Sequence, residues 1–139
     1  MRIAAFASLL ALTVAAPALA EPVASIRFDF ETGAATGKIM VALYDTAEAY
    51  SGGAPVRQAQ VDVANGQTQA DFGDLPAGDY AMKAFHDVNG NGRMDTNPFG
   101  MPTEPFAFSN NARGNMGPAS WDRARVSVSG EVAQTVAIR

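Results

Sequence analysis

Hydrophobic and polar positions alternate with a period of two in seven runs after residue 21, as expected for β-strands that bury one face and expose the other. The inward positions of these runs are, in chain order, Ile26, Phe28 and Phe30; Ile39, Val41 and Leu43; Ala59, Val61 and Val63; Thr68, Ala70 and Phe72; Tyr80, Met82, Ala84 and His86; Val126 and Val128; and Val132, Val136 and Ile138. Seven strands joined by short turns predict an all-β fold, an antiparallel seven-stranded sandwich of the Ig-like or prealbumin-like kind. A single turn of helix is expected at residues 46–50.

Two turn sequences separate the central strands. Asn65-Gly66, between the third and fourth runs, predicts a two-residue type I′ hairpin. Leu75-Pro76-Ala77-Gly78 separates the fourth run from the fifth. Together with Asp79-Tyr80, it resembles the hairpin of transthyretin-like and carboxypeptidase-regulatory-like sandwiches of secreted proteins. The resemblance implies a prealbumin-like fold and no particular activity, because a fold does not determine a function.

The first twenty residues have the pattern of a cleaved signal peptide. Met1-Arg2 supplies positive charge, residues 3–14 are almost entirely apolar, and Pro17-Ala18-Leu19-Ala20 offers an A-x-A cleavage site. A membrane anchor is the alternative, but the apolar run is shorter than the roughly 18 residues expected of a spanning helix. We therefore expect residues 1–20 to be removed, residues 21–139 to form a single domain, and the mature protein to be periplasmic or secreted.

Composition narrows the class of protein. The chain has 139 residues, no cysteine and a formal net charge of −4. Without cysteine, disulfides and thiol catalysis are excluded, so a hydrophobic core, with or without a metal, must stabilise the domain. Most basic residues are scattered singly along the chain, which argues against nucleic-acid binding. No segment after residue 20 is apolar enough to predict a transmembrane helix.

One segment suggests a specific chemistry, that of a calcium-binding loop. The sequence Asp-Val-Asn-Gly-Asn-Gly-Arg-Met-Asp at residues 87–95 sets oxygen-bearing side chains at alternate positions and glycine at the sixth. Calcium takes six to eight oxygen ligands, and a set with few carboxylates predicts weak binding, on the order of 10⁻⁴ to 10⁻³ M. The predicted ligands are the side chains of Asp87, Asn89, Asn91 and Asp95 and the backbone oxygen of Arg93.

The motif is incomplete at its twelfth position, where the usual bidentate glutamate is replaced by Pro98. Glu104 or the backbone carbonyl of Asn97 is expected to complete the shell. Magnesium fits less well because it keeps its waters and requires strict octahedral geometry. A plain turn of asparagine and glycine is the alternative interpretation. Calcium is favoured because aspartates close both ends of the segment at ligand spacing, and the ion would be structural.

A long segment without strand alternation follows the motif, from Thr96 to Ser120. It is rich in glycine, proline, asparagine and aromatic residues and is longer than most loops of compact domains. One interpretation is an aromatic-lined ligand site in which Asn110, Asn111, Arg113 and Trp121 make polar or stacking contacts. The favoured interpretation is that the segment packs onto the sandwich, because long folded-back loops carry their own side-chain cores.

His86 is the only histidine of the chain. It shares a strand face with Tyr80, Met82 and Ala84, which favours a hydrogen-bonded side chain at the edge of the core. Its neighbour Asp87 leaves open a metal-dependent hydrolase centred on these two residues. Hydrolases of that kind need several histidines, and no G-x-S-x-G motif is present.

A broader resemblance covers nearly all of the chain after residue 20. Phe85-His86-Asp87 and the calcium-type motif, followed by the segment from Phe99-Gly100-Met-Pro102 to Asn110-Asn111-Ala112-Arg113-Gly114, are similar to a bacterial exported family catalogued as domain of unknown function 2141. The resemblance implies a secreted or periplasmic β-sandwich and transfers no catalytic residue.

We therefore expect an exported, non-enzymatic, calcium-stabilised β-sandwich that acts as a binding or structural module. Its partner is expected to be another protein or a small-molecule ligand. Two alternatives stay open: the hydrolase centred on His86 and Asp87, and an envelope-associated module whose long loop contacts another protein.

Overall fold

The computed structural model of the chain describes residues 14–20 and 23–139. Most of the predicted signal peptide, residues 1–20, and the predicted mature N-terminus at Glu21 lie outside the described residues. Residues 14–20 are exposed and have no regular secondary structure. Within the described part of the chain, no helix is both long and apolar enough to cross a membrane.

The described residues form eight strands and two short helices, which confirms the all-β prediction. The predicted helical turn is α1, and the side chain of Thr46 caps it by accepting a hydrogen bond from the Ala49 amide at 3.1 Å. The predicted count of seven strands is wrong, because the sixth strand is the wholly apolar run Phe-Ala-Phe, which shows no alternation with polar residues. The elements are β1 (Val23–Glu31), β2 (Lys38–Tyr44), α1 (Ala47–Gly52), β3 (Arg57–Asp62), β4 (Gln69–Pro76), β5 (Gly78–Asp87), β6 (Phe106–Phe108), α2 (Trp121–Ala124), β7 (Val126–Val128) and β8 (Glu131–Ala137).

The strands form a sandwich of a smaller and a larger sheet. The smaller sheet has the order β4–β1–β8, and the larger has the order β3–β2–β5–β6, with β7 also pairing with β5. All pairs in the larger sheet are antiparallel. In the smaller sheet β1 is antiparallel to β4 but parallel to β8. The prediction of a purely antiparallel sandwich is wrong for this last pair, because side chains alternate in the same way in both kinds of sheet.

The predicted hairpin at Asn65-Gly66 is also wrong. β3 belongs to the larger sheet and β4 to the smaller one, so the turn carries the chain from one sheet to the other. A short 3-10 helix, Val63–Asn65, ends at Gly66, whose φ of 81° lies in the left-handed region. Asn-Gly supplies the left-handed conformation that a type I′ hairpin needs, but the same conformation also serves this crossing.

Two hydrophobic clusters hold the domain together. The main core lies between the sheets and is built from the inward positions of the strands, among them Phe28, Ile39 and Met82, each at most 1% exposed. A second cluster joins Tyr50 of α1 to Ala81, Phe108, Ala119 and Ala124. The packing predicted for the long segment is therefore observed at Phe108 and Ala119.

Ser109 connects the second cluster to the main sheet. Its hydroxyl is fully buried, accepts a hydrogen bond from the Met82 amide at 2.9 Å and donates one to the Ala124 carbonyl at 2.5 Å. Replacing Ser109 with alanine should lower the free energy of unfolding by about 2–3 kcal/mol, because two buried backbone groups lose their partner. Urea unfolding measures the loss. Ser127→Ala is the control, since its exposed hydroxyl bonds only Asp79, and an equal loss there would contradict the assignment.

Candidate functional site

The outer face of the larger sheet is apolar over its central strands. Met40 on β2 lies opposite Phe85 on β5, which in turn lies opposite Phe106 on β6. The next row along the sheet pairs Ala42 with Lys83 and Lys83 with Phe108. The outward side chains of Met40, Ala42, Lys83 and Phe85 are half-buried rather than fully exposed. Apart from Lys83, the middle of this outer face is therefore apolar, whereas a solvated face would alternate with polar residues.

These outward residues form the floor of a groove of about 1300 Å³. Its polar members are few, and Lys83 is the only charged side chain among the described residues that line it. Two loop segments form walls. The first, here called the first wall, is residues 94–102, and the second wall is residues 114–118. The lining residues that the walls contribute are Met94, Phe99, Gly100, Met101, Pro102, Gly114, Met116, Gly117 and Pro118.

The walls carry the largest exposed apolar side chains of the folded domain. Phe99 is 90% exposed, Met101 63% and Met116 103%. Met116 also has a φ of 57°, a left-handed conformation that is uncommon for a residue with a side chain. Exposed apolar side chains around a concave apolar surface are typical of a binding site.

Backbone hydrogen bonds shape the tip of the first wall. The side-chain oxygen of Asn97 accepts hydrogen bonds from the amides of Phe99 and Met101, at 2.9 and 3.0 Å. Thr96 and Pro102 form a β-bridge below this turn. The backbone carbonyl of Asn97 accepts a hydrogen bond from the Gly100 amide. Asn97 therefore organises the turn that presents Phe99, and its carbonyl lies within that turn.

The calcium-type motif lies at the base of the first wall. Asp87 is 3% exposed, and its carboxylate accepts hydrogen bonds from the amides of Asn91 and Gly92 at 3.1 and 2.8 Å. Gly92 has a φ of 82°, which permits the bend that brings these amides to the aspartate. The motif thus curls around the Asp87 carboxylate, an arrangement that the plain turn of asparagine and glycine also provides, and calcium binding stays a prediction.

Asp95 closes the curl from the other end. Its two carboxylate oxygens accept hydrogen bonds from the side-chain amides of Asn89 and Asn91, at 2.5 and 2.7 Å. The bonds from Asn91 and then Asn89 lower the pKa of Asp95 below its ordinary value. Arg93 is exposed in the same curl, and its amide donates to the side-chain oxygen of Asn91 at 3.0 Å. The four predicted side-chain ligands therefore lie in one hydrogen-bonded loop: Asp87, Asn89, Asn91 and Asp95.

Glu104 joins the two ends of the motif. It is 8% exposed, and its two oxygens accept hydrogen bonds from the amides of Val88 and Asp95, at 3.1 and 3.2 Å. Among the residues that the structure describes, neither Glu104 nor Asp87 forms a salt bridge. Buried carboxylates are ordinarily paired with a cation or bound to a metal. This arrangement fits the predicted role of Glu104 better than that of the Asn97 carbonyl.

The oxygen atoms of the motif fit calcium only if neutral oxygens complete the set of ligands. Within residues 14–20 and 23–139, no three acidic or histidine side chains are close enough together to hold a metal ion by themselves. The shell would therefore depend on neutral oxygens as well. The Asn89 and Asn91 side chains direct nitrogen toward Asp95, while their oxygens accept hydrogen bonds from the backbone amides of Asn91 and Arg93. Calcium ligation by these oxygens would require each side-chain amide to rotate and to lose the bond that its oxygen accepts.

Lys83 lies in the groove floor beside two aromatic rings. Its ammonium nitrogen donates to the Tyr50 carbonyl at 2.5 Å and lies 4.2 Å from the centre of the Tyr50 ring and 5.3 Å from that of Tyr44. Burial lowers the pKa of Lys83. Burial also raises the pKa of Tyr50 to about 12, with a smaller contribution from the charge of Tyr44.

The four residues predicted to contact a ligand lie outside the groove lining. The side chains of Asn110 and Asn111 bond to β8 and to the backbone after α2, for example from Asn111 to the Thr135 carbonyl at 2.9 Å. Arg113 is exposed, and its carbonyl accepts a hydrogen bond from Arg123. Trp121 packs edge-on against Tyr50, 5.9 Å between ring centres. Trp121 thus packs against the second cluster, the two asparagines bond neighbouring segments, and a ligand role for the four residues stays a prediction.

His86 is fully buried and has both ring nitrogens engaged. Nε2 lies 2.6 Å from the Thr36 carbonyl, which can only accept, so Nε2 carries the proton. Nδ1 lies 2.8 Å from the hydroxyl oxygen of Thr32, within hydrogen-bond distance. No ring nitrogen is left to activate water, so the geometry gives no support to the hydrolase centred on His86 and Asp87.

The groove floor was not predicted from the sequence. Its signal lies in β2 and β5, where the outward positions Met40, Ala42, Tyr44, Ala81 and Phe85 are apolar or aromatic and Lys83 is the one charged residue among them. An amphipathic strand would carry polar residues at these positions. The apolar outward positions therefore indicate that this face is covered or binds something.

The family described as uncharacterized protein conserved in bacteria (DUF2141) matches residues 31–136. No curated protein and no solved structure matches the chain.

Proposed function

Since this chain belongs to the bacterial family DUF2141, whose members are described only as uncharacterized, we propose from its geometry that it is an exported, non-enzymatic binding domain. Its ligand site is the groove on the outer face of the larger sheet. The calcium-type loop is the structural element that holds the first wall of this groove.

The groove is the observation that carries the proposal. A sheet face that buries nothing normally carries polar side chains, yet here Met40, Phe85 and Phe106 form an apolar row beneath two projecting walls. Phe99 and Met116 are almost wholly exposed at the rim. An apolar ligand would bury these side chains, and each Å² of apolar surface removed from water contributes about 25 cal/mol.

The calcium part of the proposal is supported by charge. Asp87 and Glu104 are nearly buried and have no salt-bridge partner among the described residues. A calcium ion held by the motif would supply the missing positive charge. In the chain itself, Asp87 and Glu104 bind the backbone amides at the base of the first wall, and Asn97 fixes its tip. Metal binding and groove shape are therefore connected through residues 88–104.

Export is proposed from the pattern of residues 1–20, with the mature domain located in the periplasm or outside the cell. A fold that needs no disulfide is compatible with either location. The absence of cysteine from the whole sequence leaves the two hydrophobic clusters, and the proposed ion, to stabilise the domain.

Truncating the rim tests the binding site. Phe99→Ser should weaken binding of the neutral apolar dye Nile red to the full chain by about tenfold, since a buried aromatic side chain contributes about 1.5–3 kcal/mol. Dye fluorescence is titrated against protein. Val23→Ser is the matched control, because Val23 is 67% exposed on the smaller sheet. Equal affinities of Phe99→Ser and the unaltered chain would contradict the proposed site. A dimer that dissociates on Phe99→Ser, with no dye bound, would indicate a protein-interaction module instead.

A further inference from the structure

We propose that the ligand of the groove is an elongated amphiphile with a single anionic group, a long-chain carboxylate whose head lies at Lys83 and whose chain lies along the apolar floor. This inference rests on the proposed function and names the ligand class of the same site.

The position of the head group follows from the charges in the groove. Lys83 is the only charged residue among the described lining residues, and it forms no salt bridge with any described carboxylate. Its ammonium has three donors, and one of them bonds the Tyr50 carbonyl. The remaining donors belong to a side chain that lines an apolar groove, where a charge-assisted hydrogen bond is stronger than in water. A carboxylate placed there would supply the missing counter-charge.

The nature of the tail follows from the floor. Met40, Phe85 and Phe106 form a continuous row across three strands, and Phe99 and Met116 rise beside it. Methionine side chains adapt to irregular apolar shapes, which suits a flexible hydrocarbon chain. The volume of about 1300 Å³ exceeds that of most compact ligand pockets, which suits an extended molecule.

A peptide is a poorer occupant of this floor. Peptides added to a sheet bind through unpaired backbone groups at a strand edge. Here the floor strands β2 and β5 are each paired on both sides, β2 with β3 and β5, and β5 with β2, β6 and β7. The two central strands of the floor therefore offer side chains and no free strand edge, and the ends of the sheet are β3 and β6. A peptide would bury its own polar backbone without partners, whereas an alkyl chain has no such groups to desolvate.

The test compares head groups on one alkyl chain by calorimetric titration of the full-length protein. Dodecanoate and dodecyltrimethylammonium are used below their micelle concentrations, and dodecanol below its solubility limit. Dodecanoate should bind about tenfold to a hundredfold more tightly than dodecanol, as expected for a hydrogen bond to a charged group. The cationic analogue should bind most weakly. Affinity should also rise about fourfold for each methylene added from decanoate to tetradecanoate, since a buried methylene contributes about 0.8 kcal/mol.

The second arm of the test uses the two lysines of the chain. Lys83→Met removes the ammonium group and leaves an apolar side chain in the floor. It should therefore abolish the preference for dodecanoate over dodecanol. Lys38→Met is the matched control, because Lys38 is exposed on the neighbouring strand and is not part of the lining. It should leave the preference unchanged. Circular dichroism checks that both variants fold. If a variant does not fold, the comparison of head groups on the unaltered chain still tests the inference.

The outcomes separate this inference from the proposed function. Tight binding of all three head groups, unaffected by Lys83→Met, would overturn the carboxylate assignment and keep the groove as an apolar binding site. No binding of any alkyl compound or of Nile red would overturn both. A preference for dodecanoate that persists in Lys83→Met would place the head group elsewhere and overturn the inference alone.

Discussion

Replacing Asp87 with alanine is expected to lower the free energy of unfolding by about 3 kcal/mol and to remove any response of the thermal midpoint to calcium. The carboxylate is nearly buried and accepts hydrogen bonds from two loop amides. Each bond to a charged group contributes about 1.5–3 kcal/mol. In the unaltered chain, calcium at about ten times its dissociation constant should add about 1.4 kcal/mol. That gain corresponds to a rise of about 5 °C in the midpoint of a domain of this size.

Two further variants separate charge from hydrogen bonding. Asp87→Asn keeps an acceptor for the loop amides but loses the negative charge, so it should retain part of the stability and lose the calcium response. Asn65→Ala removes an exposed turn side chain that bonds Asp62, and it should cost less than Asp87→Ala. Thermal unfolding followed by circular dichroism, with calcium and then with chelator, measures all three. A midpoint of the unaltered chain that does not change across millimolar calcium would contradict calcium binding by the loop.

Placing a negative charge in the groove floor is expected to have the largest effect on binding. Met40→Asp should weaken Nile red binding by at least about a hundredfold, because a ligand covering the floor would bury an unpaired carboxylate. The free energy of unfolding should change by less than about 1 kcal/mol, since Met40 faces outward and the charge stays hydrated without ligand. Dye titration and urea unfolding measure the two quantities separately.

The matched control for that variant is Val23→Asp, which exchanges an exposed apolar residue for aspartate on the smaller sheet. It should leave dye binding unchanged. Equal weakening by Val23→Asp would show that net charge, rather than the groove floor, governs binding. Unchanged binding in Met40→Asp would show that the dye binds outside the groove.

Much of the fold could be predicted because alternation is a local property. Ile26, Phe28 and Phe30 point inward because they are spaced by two in a strand, and no knowledge of the partner strand is needed. The errors concern relations between distant strands. The parallel pairing of β1 with β8 and the change of sheet after Asn65 depend on long-range contacts that leave no local pattern. β6 was missed because Phe106–Phe108 is apolar at all three positions and shows no alternation with polar residues, unlike the equally short β7.

The calcium-type loop of the candidate site could be located from the sequence, but the groove could not. The motif at residues 87–95 curls as its spacing indicates, because Gly92 and the alternating oxygens act within a few residues of each other. Glu104 could be proposed as a partner only because Pro98 stood where a ligand was expected. The groove was hidden because its floor is assembled across three strands. Met40, Phe85 and Phe106 are far apart in sequence and adjacent only through strand pairing.

The central claim is that a calcium-type loop holds one wall of the groove. It is tested most directly by the affinity of the full-length protein for Nile red, measured with calcium and again with chelator. Binding partners that stabilise the same conformation tighten each other's binding. We predict saturable binding that is tighter with calcium, and a coupling that Asp87→Asn abolishes. Failure of the dye to bind saturably under both conditions would contradict the account.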